Sequence, residues 1–327
     1  MNQKSTVRSI VFAIVAMGIV FSVSGLVIGH TTQIADATKP KHGDDNGHNG
    51  NNNANPTAFQ NIGAVPAPVS GSSVGGDIEA ASGSGIGSLA TDTSTAQPIA
   101  TAQAASSNAA CGQVVSGVVN LTANLNCSGD GIIVGGPNTV INMNGFSITG
   151  PGQDSSKVAI MVPNVDNVVV NGPGSLSNFQ AGVLLTGANG FQINSVILSN
   201  NQIGTFMTGA ENAQVQQNII QGNSIGVASH SSTGAAIDSN LMNGNLLAGI
   251  TFVNTQQSNV GMNNVVGSQN GVFLDGQSSQ NTISANNVLE NVIDLNNANG
   301  LPTNINTNQY VDNSCETSNP SGLCIGR

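Results

Sequence analysis

Charged and aromatic side chains are scarce in this chain of 327 residues. Only 7% of the residues are charged, there is no Trp, and there is a single Tyr. Soluble helices carry charged side chains on their outer faces, so the composition argues against a helical domain. From Cys111 to Arg327 the only basic residues are Lys157 and Arg327. A nucleic-acid partner is therefore excluded, because nothing is present to neutralise a row of phosphates.

The N-terminus has the pattern of an export signal. Lys4 and Arg8 precede an uncharged apolar run from Ser9 to Gly29, and Ala35-Asp36-Ala37 matches a small-x-small cleavage site. We expect residues 1–37 to be a signal peptide that is cut after Ala37. A retained anchor is the alternative, since about 20 apolar residues span a bilayer. In either case the rest of the chain is predicted to be secreted or to lie in the cell envelope, with membrane contact only through an uncleaved N-terminal segment.

Residues 38–110 are predicted to form a disordered linker. They are polar and low in complexity at first, then rich in Ala, Gly, Ser and Thr, and such segments bury too little apolar area to offset chain entropy. His42, Asp44, Asp45 and His48 could hold a metal weakly, as a role in metal delivery would require. A solvated spacer is the favoured interpretation, because a flexible site must also bear the entropy of ordering.

The four cysteines fall into two local pairs that bracket residues 111–327. Three connectivities are open to four cysteines, and local pairing of Cys111 with Cys127 and of Cys315 with Cys324 is favoured. In an oxidising compartment each bond would contribute roughly 2–4 kcal/mol. Zinc binding is disfavoured, because no His lies near either pair and no C-x-x-C spacing occurs.

A period near 22 residues organises the remainder of the chain. It is carried by glycines at positions 182, 204, 226, 249 and 271, each followed by alternating apolar residues. Period-two alternation predicts short strands, and a repeat of this length without a helical stretch predicts one coil of a solenoid. The glycines are expected to allow corner conformations that side chains would forbid. Residues 111–137 and 296–327 are expected to cap the two ends.

A second series in the same register is polar. Since equivalent residues of successive coils stack about 4.8 Å apart, a recurring Asn between apolar neighbours predicts a buried ladder of side-chain amides. The predicted ladder consists of Asn218, Asn240, Asn263 and Asn286.

The segment from Cys111 to Gly150 and the repeats from Gly182 to Asn291 resemble the NosD-like and pectate-lyase-like group of β-helix proteins. The resemblance implies a right-handed single-stranded parallel β-helix, and the handedness rests on it alone. It does not imply one function, because the group includes lyases, hydrolases, epimerases and surface proteins.

The chain departs from the enzymes of that group. The repeats contain no Arg to act as a base, and the strings Asn-Thr-Asp, Asp-Asp and His-Gly are absent from the repeat region. The acids of residues 111–327 occupy different registers, so we expect them to be solvated turn residues rather than a facing pair. His230 has no clear third partner for a nucleophile-and-base arrangement.

We predict no catalytic, cofactor-binding or metal site. The alternative is a polysaccharide-active or carbohydrate-binding protein, whose activity would depend on His230, Asp238 or Asp275.

One outward-facing column is apolar where a solvated strand would be polar. Its largest members, here called the apolar stripe, are Met161, Leu184, Phe206 and Phe273. Exposed apolar stripes mark contacts, with the linker, the C-terminal segment or another molecule as occupant. The sequence therefore predicts an exported, non-enzymatic structural or binding module of the cell envelope. Its partner would be an envelope protein, a surface glycan or a second copy of the chain.

Overall fold

Residues 109–324 are described in the computed structural model of this protein, where they form a parallel β-solenoid of about nine turns. The solenoid class predicted from the repeat is confirmed. The predicted signal peptide and all but the end of the predicted linker lie outside the described residues, and so do His42 and His48. Apart from two 3-10 turns at Gln153–Ser155 and Thr303–Ile305, the regular elements of the described part are strands. Within residues 109–324 no helix is long and apolar enough to cross a membrane.

Successive coils contribute strands to three parallel sheets, and the strands are numbered in chain order. The first sheet contains β1 (Val114–Val115), β4 (Ile132–Val134), β7 (Val158–Pro163), β10 (Ala181–Thr186), β13 (Ile203–Thr208), β16 (Ile225–His230), β19 (Ala248–Val253), β22 (Asn270–Leu274), β25 (Ile293–Asn297) and β27 (Ser318–Asn319). The second contains β2 (Val118–Asn120), β5 (Val140–Asn142), β8 (Val169–Asn171), β11 (Gln192–Asn194), β14 (Gln214–Gln216), β17 (Ala236–Asp238), β20 (Asn259–Gly261), β23 (Thr282–Ser284) and β26 (Gln309–Val311). The third contains β3 (Leu125–Asn126), β6 (Ser147–Thr149), β9 (Ser175–Ser177), β12 (Ile197–Ser199), β15 (Ile219–Gln221), β18 (Leu241–Asn243), β21 (Asn264–Val266) and β24 (Asn287–Leu289).

Alternation along these strands builds the core inside the coil. In β11 the buried Ile193 lies between the half-buried Gln192 and Asn194, and it stacks in register on Val170 and Val215. The same inward stacking continues along the solenoid and produces one core cluster that runs from Val115 to Leu323. Each fully buried aliphatic side chain contributes roughly 1.5–3 kcal/mol relative to an exposed one, so the repeated inward positions dominate stability.

The repeat glycines are required by close packing. A Cβ on Gly182 would lie 2.6 Å from the carbonyl oxygen of Gly204 and 2.9 Å from Cδ2 of Leu198. The φ angles of the repeat glycines lie outside the left-handed region, so the expectation of a special corner conformation is wrong for them. Left-handed φ angles occur instead at Asn-rich turns, for example at Asn200 and Asn212.

Both ends of the solenoid carry a disulfide bond. Cys111–Cys127 closes the first coil with a Cα–Cα distance of 5.5 Å, and Cys315–Cys324 closes the last segment with a Cα–Cα distance of 5.3 Å. The residues predicted as caps also contribute to the sheets. Residues 111–137 contain β1 to β4, and residues 296–324 contain β26 and β27.

Candidate functional site

The apolar stripe lies on the outer face of the first sheet. Backbone pairing stacks Met161, Leu184 and Phe206 in adjacent coils, and the column continues through Ala228 and Thr251 to Phe273. A second apolar column at the start of the same strands joins it. Together they form a hydrophobic cluster that is separate from the interior core, and its buried members are Ile133, Val158, Met161, Ala181, Leu184, Ile203, Phe206 and Ala228.

Burial of the stripe changes along the solenoid. Met161, Leu184 and Phe206 have relative exposures of 2%, 1% and 0%, although they point away from the coil. Thr251 and Phe273, two and three coils beyond Phe206, are only half-buried. Neighbours 4.8 Å away in a column shield the sides of a side chain and leave its tip open. The C-terminal end of the stripe, at Thr251 and Phe273, is its more accessible part.

The predicted Asn ladder occupies the corner between the second and third sheets. Nδ2 of Asn240 donates to Oδ1 of Asn263 at 3.0 Å and to the carbonyl oxygen of Val215 at 2.8 Å. Oδ1 of Asn240 accepts hydrogen bonds from the backbone N–H and the Nδ2 of Asn218. The pattern repeats at Asn286, and it continues to Asn313 because Asn286 donates to Asn313 at 2.9 Å. The buried amides thus form hydrogen bonds with one another and with backbone groups, so their role is structural.

A further ladder occupies the corner between the third and first sheets. Asn201, Asn223 and Asn245 stack there with the same bonds. Ser268 takes the next rung, since its N–H donates to Asn291 Oδ1 at 2.9 Å. Asn270, two residues later, lies in β22 and accepts from Asn296. The Ser268 hydroxyl is buried and has no hydrogen-bond partner in the described part of the chain. The ladder is therefore interrupted at this rung.

Ser268→Asn is expected to raise the free energy of unfolding by about 1 kcal/mol. The new Oδ1 would accept from Asn245, and the new Nδ2 would donate to a carbonyl of the preceding coil, as Asn245 does to Ile220 at 2.9 Å. Urea denaturation followed by circular dichroism would measure the change. Ser284→Asn on the outer face of β23 is the matched control and should have no effect. An unchanged or lower midpoint for Ser268→Asn would show that the rung has no room for an amide.

Asp294 ends this second ladder and is buried, with 1% exposure, so the expectation of a solvated turn residue is wrong for it. Its Oδ1 accepts from the N–H and Nδ2 of Asn291, and its Oδ2 accepts from the N–H groups of Glu316 and Thr317 at 2.9 and 3.0 Å. Burial alone would raise the pKa of Asp294. The hydrogen bonds from Glu316, Thr317 and Asn291 outweigh that effect and hold its pKa below the ordinary value of 3.8. The carboxylate thereby fastens the C-terminal segment to the last coils.

The residues of the enzymatic alternative do not converge. His230 ends β16 in the first sheet and has Thr208 Oγ1 3.5 Å from its Nδ1, whereas Asp238 ends β17 in the second sheet and accepts from Ser239. Asp275 follows β22, two coils after His230, and its Oδ1 accepts from the N–H and hydroxyl of Ser278. No described contact joins the three side chains, so the structure does not assemble them into one site.

Comparison with known protein families identifies the family of this chain. A family model described as periplasmic copper-binding protein (NosD) matches residues 123–321. The chain belongs to the NosD family. Both disulfides and the periplasmic description of the NosD family agree with a location outside the cytoplasm. No curated protein sequence matches the chain significantly.

Copper is a property of the family description, and the described residues of this NosD-family chain do not fit it. Between residues 109 and 324 no group of three or more His, Cys, Asp or Glu side chains is placed to hold a metal. The four cysteines are consumed in disulfides, and His230 is the single histidine of that range. Copper sites draw on thiolate, thioether and imidazole ligands. Between residues 109 and 324 no free thiolate is present, and His230 offers a single imidazole.

Several solved structures are similar to this chain, each with a TM-score below 0.5. The Dettilon tailspike protein (gp208) is 14% identical, with 64% of this chain and 54% of that chain covered and a TM-score of 0.47. The chain thus spans about half the length of that tailspike. DFA-IIIase from Arthrobacter chlorophenolicus A6 in complex with GF2 is 14% identical, with 61% and 66% covered and a TM-score of 0.40. The A-module of the Azotobacter vinelandii mannuronan C-5 epimerase AlgE4 is 14% identical, with 62% and 80% covered and a TM-score of 0.29. Likeness at this level carries no argument about activity.

Proposed function

We propose that this NosD-family protein is an exported, non-enzymatic β-helix that serves the cell envelope as a structural or binding module. The apolar stripe on the first sheet is its interaction surface. The observation that carries the proposal is the outward hydrophobic cluster, which includes Phe206 and Leu184 and is separate from the interior core. The interior core forms its own cluster along the length of the coil, so the outward cluster is additional to it. An apolar outer face of this kind is typical of a contact surface.

The chemistry of the stripe favours a protein partner, either an envelope protein or a second copy of the chain. The stripe consists of Met, Leu and Phe side chains. Such a surface gains free energy by removing apolar area from water, which another apolar protein surface achieves best. Contact is expected to begin at Phe273, because this end of the stripe is the less buried one.

Replacing Phe206 and Phe273 together by Ser is expected to abolish partner capture in the intact envelope. Phe206 is fully buried in the outer cluster, so the double variant should lose some stability, but the coil should stay folded on its separate interior core. Cross-linking should use a carboxylate-directed reagent, since the exported chain has only Lys39, Lys41 and Lys157 for amine chemistry. Asp275 lies two residues after Phe273 and offers an attachment point. The expected result is one cross-linked species in the native protein that is lost in the double variant.

Phe252→Ser is the matched control, because Phe252 lies in β19 of the same sheet but points into the interior core. Its replacement should lower the free energy of unfolding by about 4 kcal/mol, as for other buried Phe truncations. If the double variant unfolds as Phe252→Ser does, the stripe is part of the essential core and the proposal fails. It also fails if the double variant is captured as efficiently as the native protein.

A further inference from the structure

The first coil carries the only two N-glycosylation sequons of the chain. Asn120-Leu-Thr and Asn126-Cys-Ser both match the acceptor pattern Asn-x-Ser/Thr, in which x is any residue except Pro. Asn is frequent in the rest of the chain, but there Ser or Thr follows two positions later only at Asn55 and Asn319, where Pro stands between them. The acceptor pattern is therefore confined to one coil of the solenoid.

Both acceptor residues end strands at the N-terminal edge of the solenoid. Asn120 is the last residue of β2, which pairs only with β5 among the described strands, and Asn126 is the last residue of β3, which pairs only with β6. Such edge strands expose N–H and C=O groups to pairing with another chain, and natural proteins protect them. Since no described coil lies beyond this edge, a large hydrophilic attachment here does not interrupt the stacking.

The Asn126 sequon lies open on the surface. Leu125 packs against the interior core, so by alternation Asn126 points outward, and it is exposed. Cys127 is buried in the disulfide bond with Cys111, whereas Ser128 is again exposed. The amide and the hydroxyl that define the acceptor pattern are thus both on the surface, and the residue between them secures the coil.

The Asn120 amide is held with its nitrogen toward the edge. Its Oδ1 accepts from Nδ2 of Asn142 at 2.8 Å, and Oδ1 of Asn142 accepts from Nδ2 of Asn171 at 3.1 Å. Each nitrogen of this column donates toward the preceding coil, so a sugar on Asn142 or Asn171 would break a bond. Neither of these two residues belongs to a sequon. A sugar on Nδ2 of Asn120, in contrast, leaves the bond from Asn142 to its Oδ1 intact.

We propose that Asn120 and Asn126 are N-glycosylated when the chain is exported. The proposal goes beyond the contact at the apolar stripe and does not depend on it. The donor is an oligosaccharide joined to a lipid diphosphate, and the catalyst is an oligosaccharyltransferase of the exporting cell. Nδ2 forms a bond to the anomeric carbon of the first sugar, and the bond from that carbon to the diphosphate oxygen breaks. The lipid diphosphate leaves with the electron pair, and the amide gives one proton to a base. The attached sugars are bulky and hydrophilic, which suits the exposed edge.

Mass spectrometry of the exported protein, purified from the cells that make it, tests the proposal. The protein is reduced, alkylated and digested with an endoproteinase that cuts before Asp. Cuts before Asp92 and Asp130 release residues 92–129, which contain both sequons. Electron-transfer fragmentation assigns each sugar to one residue, and so separates Asn-linked sugar from sugar on the Ser and Thr residues of the linker. We expect a sugar mass on Asn120 and on Asn126, and none on Asn124, which is exposed in the same coil but has no sequon.

Two substitutions remove a sequon and keep its Asn. Thr122→Ala should remove the sugar from Asn120 alone, and Ser128→Ala should remove it from Asn126 alone. Thr122→Ser is the matched control, because it preserves the acceptor pattern and should preserve the sugar. The proposal is overturned if the native fragment has the mass of the unmodified chain, or if the sugars persist in the two Ala variants. A sugar on one Asn alone overturns the assignment of the other. The measurement on the native protein needs no variant, so it stands even if a variant fails to fold.

Discussion

Asn240→Ala should lower the free energy of unfolding by about 3 kcal/mol. The side chain of Asn240 takes part in four hydrogen bonds, two with Asn218 and one each with Val215 and Asn263. Alanine removes all of them and leaves buried donors and acceptors without partners on both adjacent coils. Each such group carries a desolvation penalty of roughly 1–3 kcal/mol, which a relaxed coil recovers only in part.

Urea denaturation monitored by circular dichroism would measure this loss. Asn243→Ala, three residues later on the outer face of β18, removes the same atoms from an exposed site and should change the free energy of unfolding by less than about 0.5 kcal/mol. Asn240→Asp should be at least as harmful as Asn240→Ala at neutral pH, because a buried carboxylate would face the oxygens of Val215 and Asn263. Equal stability of the Asn240 and Asn243 variants would contradict a structural role for the ladder.

The repeat period was sufficient to predict the solenoid and the ladder around Asn240. Glycines at a constant spacing fix the register of successive coils, and once the register is known the inward and outward positions follow from alternation. For this reason the sequence alone places Phe206 on an outward-facing column, and the structure agrees.

Prediction was weaker wherever the period changes. Asn286 and Asn313 are 27 residues apart, whereas Asn218 and Asn240 are 22 apart, so Asn313 was missed as the next rung. Ser268 was missed for a different reason: the polar turn there offers Asn270 two residues later, and only backbone pairing distinguishes the two.

The burial of Asp294 was unpredictable from local sequence for a physical reason. Position 294 continues the column of repeat glycines, because a Cβ on Gly271 would contact the carbonyl oxygen of Asp294. Glycine is needed where another coil approaches closely. At the last coil a side chain is tolerated, and its carboxylate takes the place of the next amide rung. Its partners Glu316 and Thr317 come from an irregular segment 22 to 23 residues later, which no periodicity identifies.

Asp294→Asn should release the C-terminal segment, with a loss of local stability of about 2 kcal/mol. The amide keeps one acceptor for Asn291 but presents donors toward the N–H groups of Glu316 and Thr317. Hydrogen exchange of these two backbone amides would report the loss, which should be larger there than in the central coils. The Cys315–Cys324 disulfide still closes the released segment into a loop. The global free energy of unfolding should therefore change less than the local exchange protection.

The same contact should depend on pH in a defined direction. Since the folded pKa of Asp294 is lower than 3.8, the ionised carboxylate contributes stability that is fully present above 3.8 and is lost as the pH falls through the folded value. Exchange protection of Glu316 and Thr317 should therefore decline below about pH 4 in the native protein and be independent of this titration in Asp294→Asn. Glu290→Gln is the charge-matched control, because Glu290 is exposed and its loss should leave the acid transition in place. If the acid transition survives in Asp294→Asn but disappears in Glu290→Gln, Asp294 is not the group that fastens the C-terminal segment.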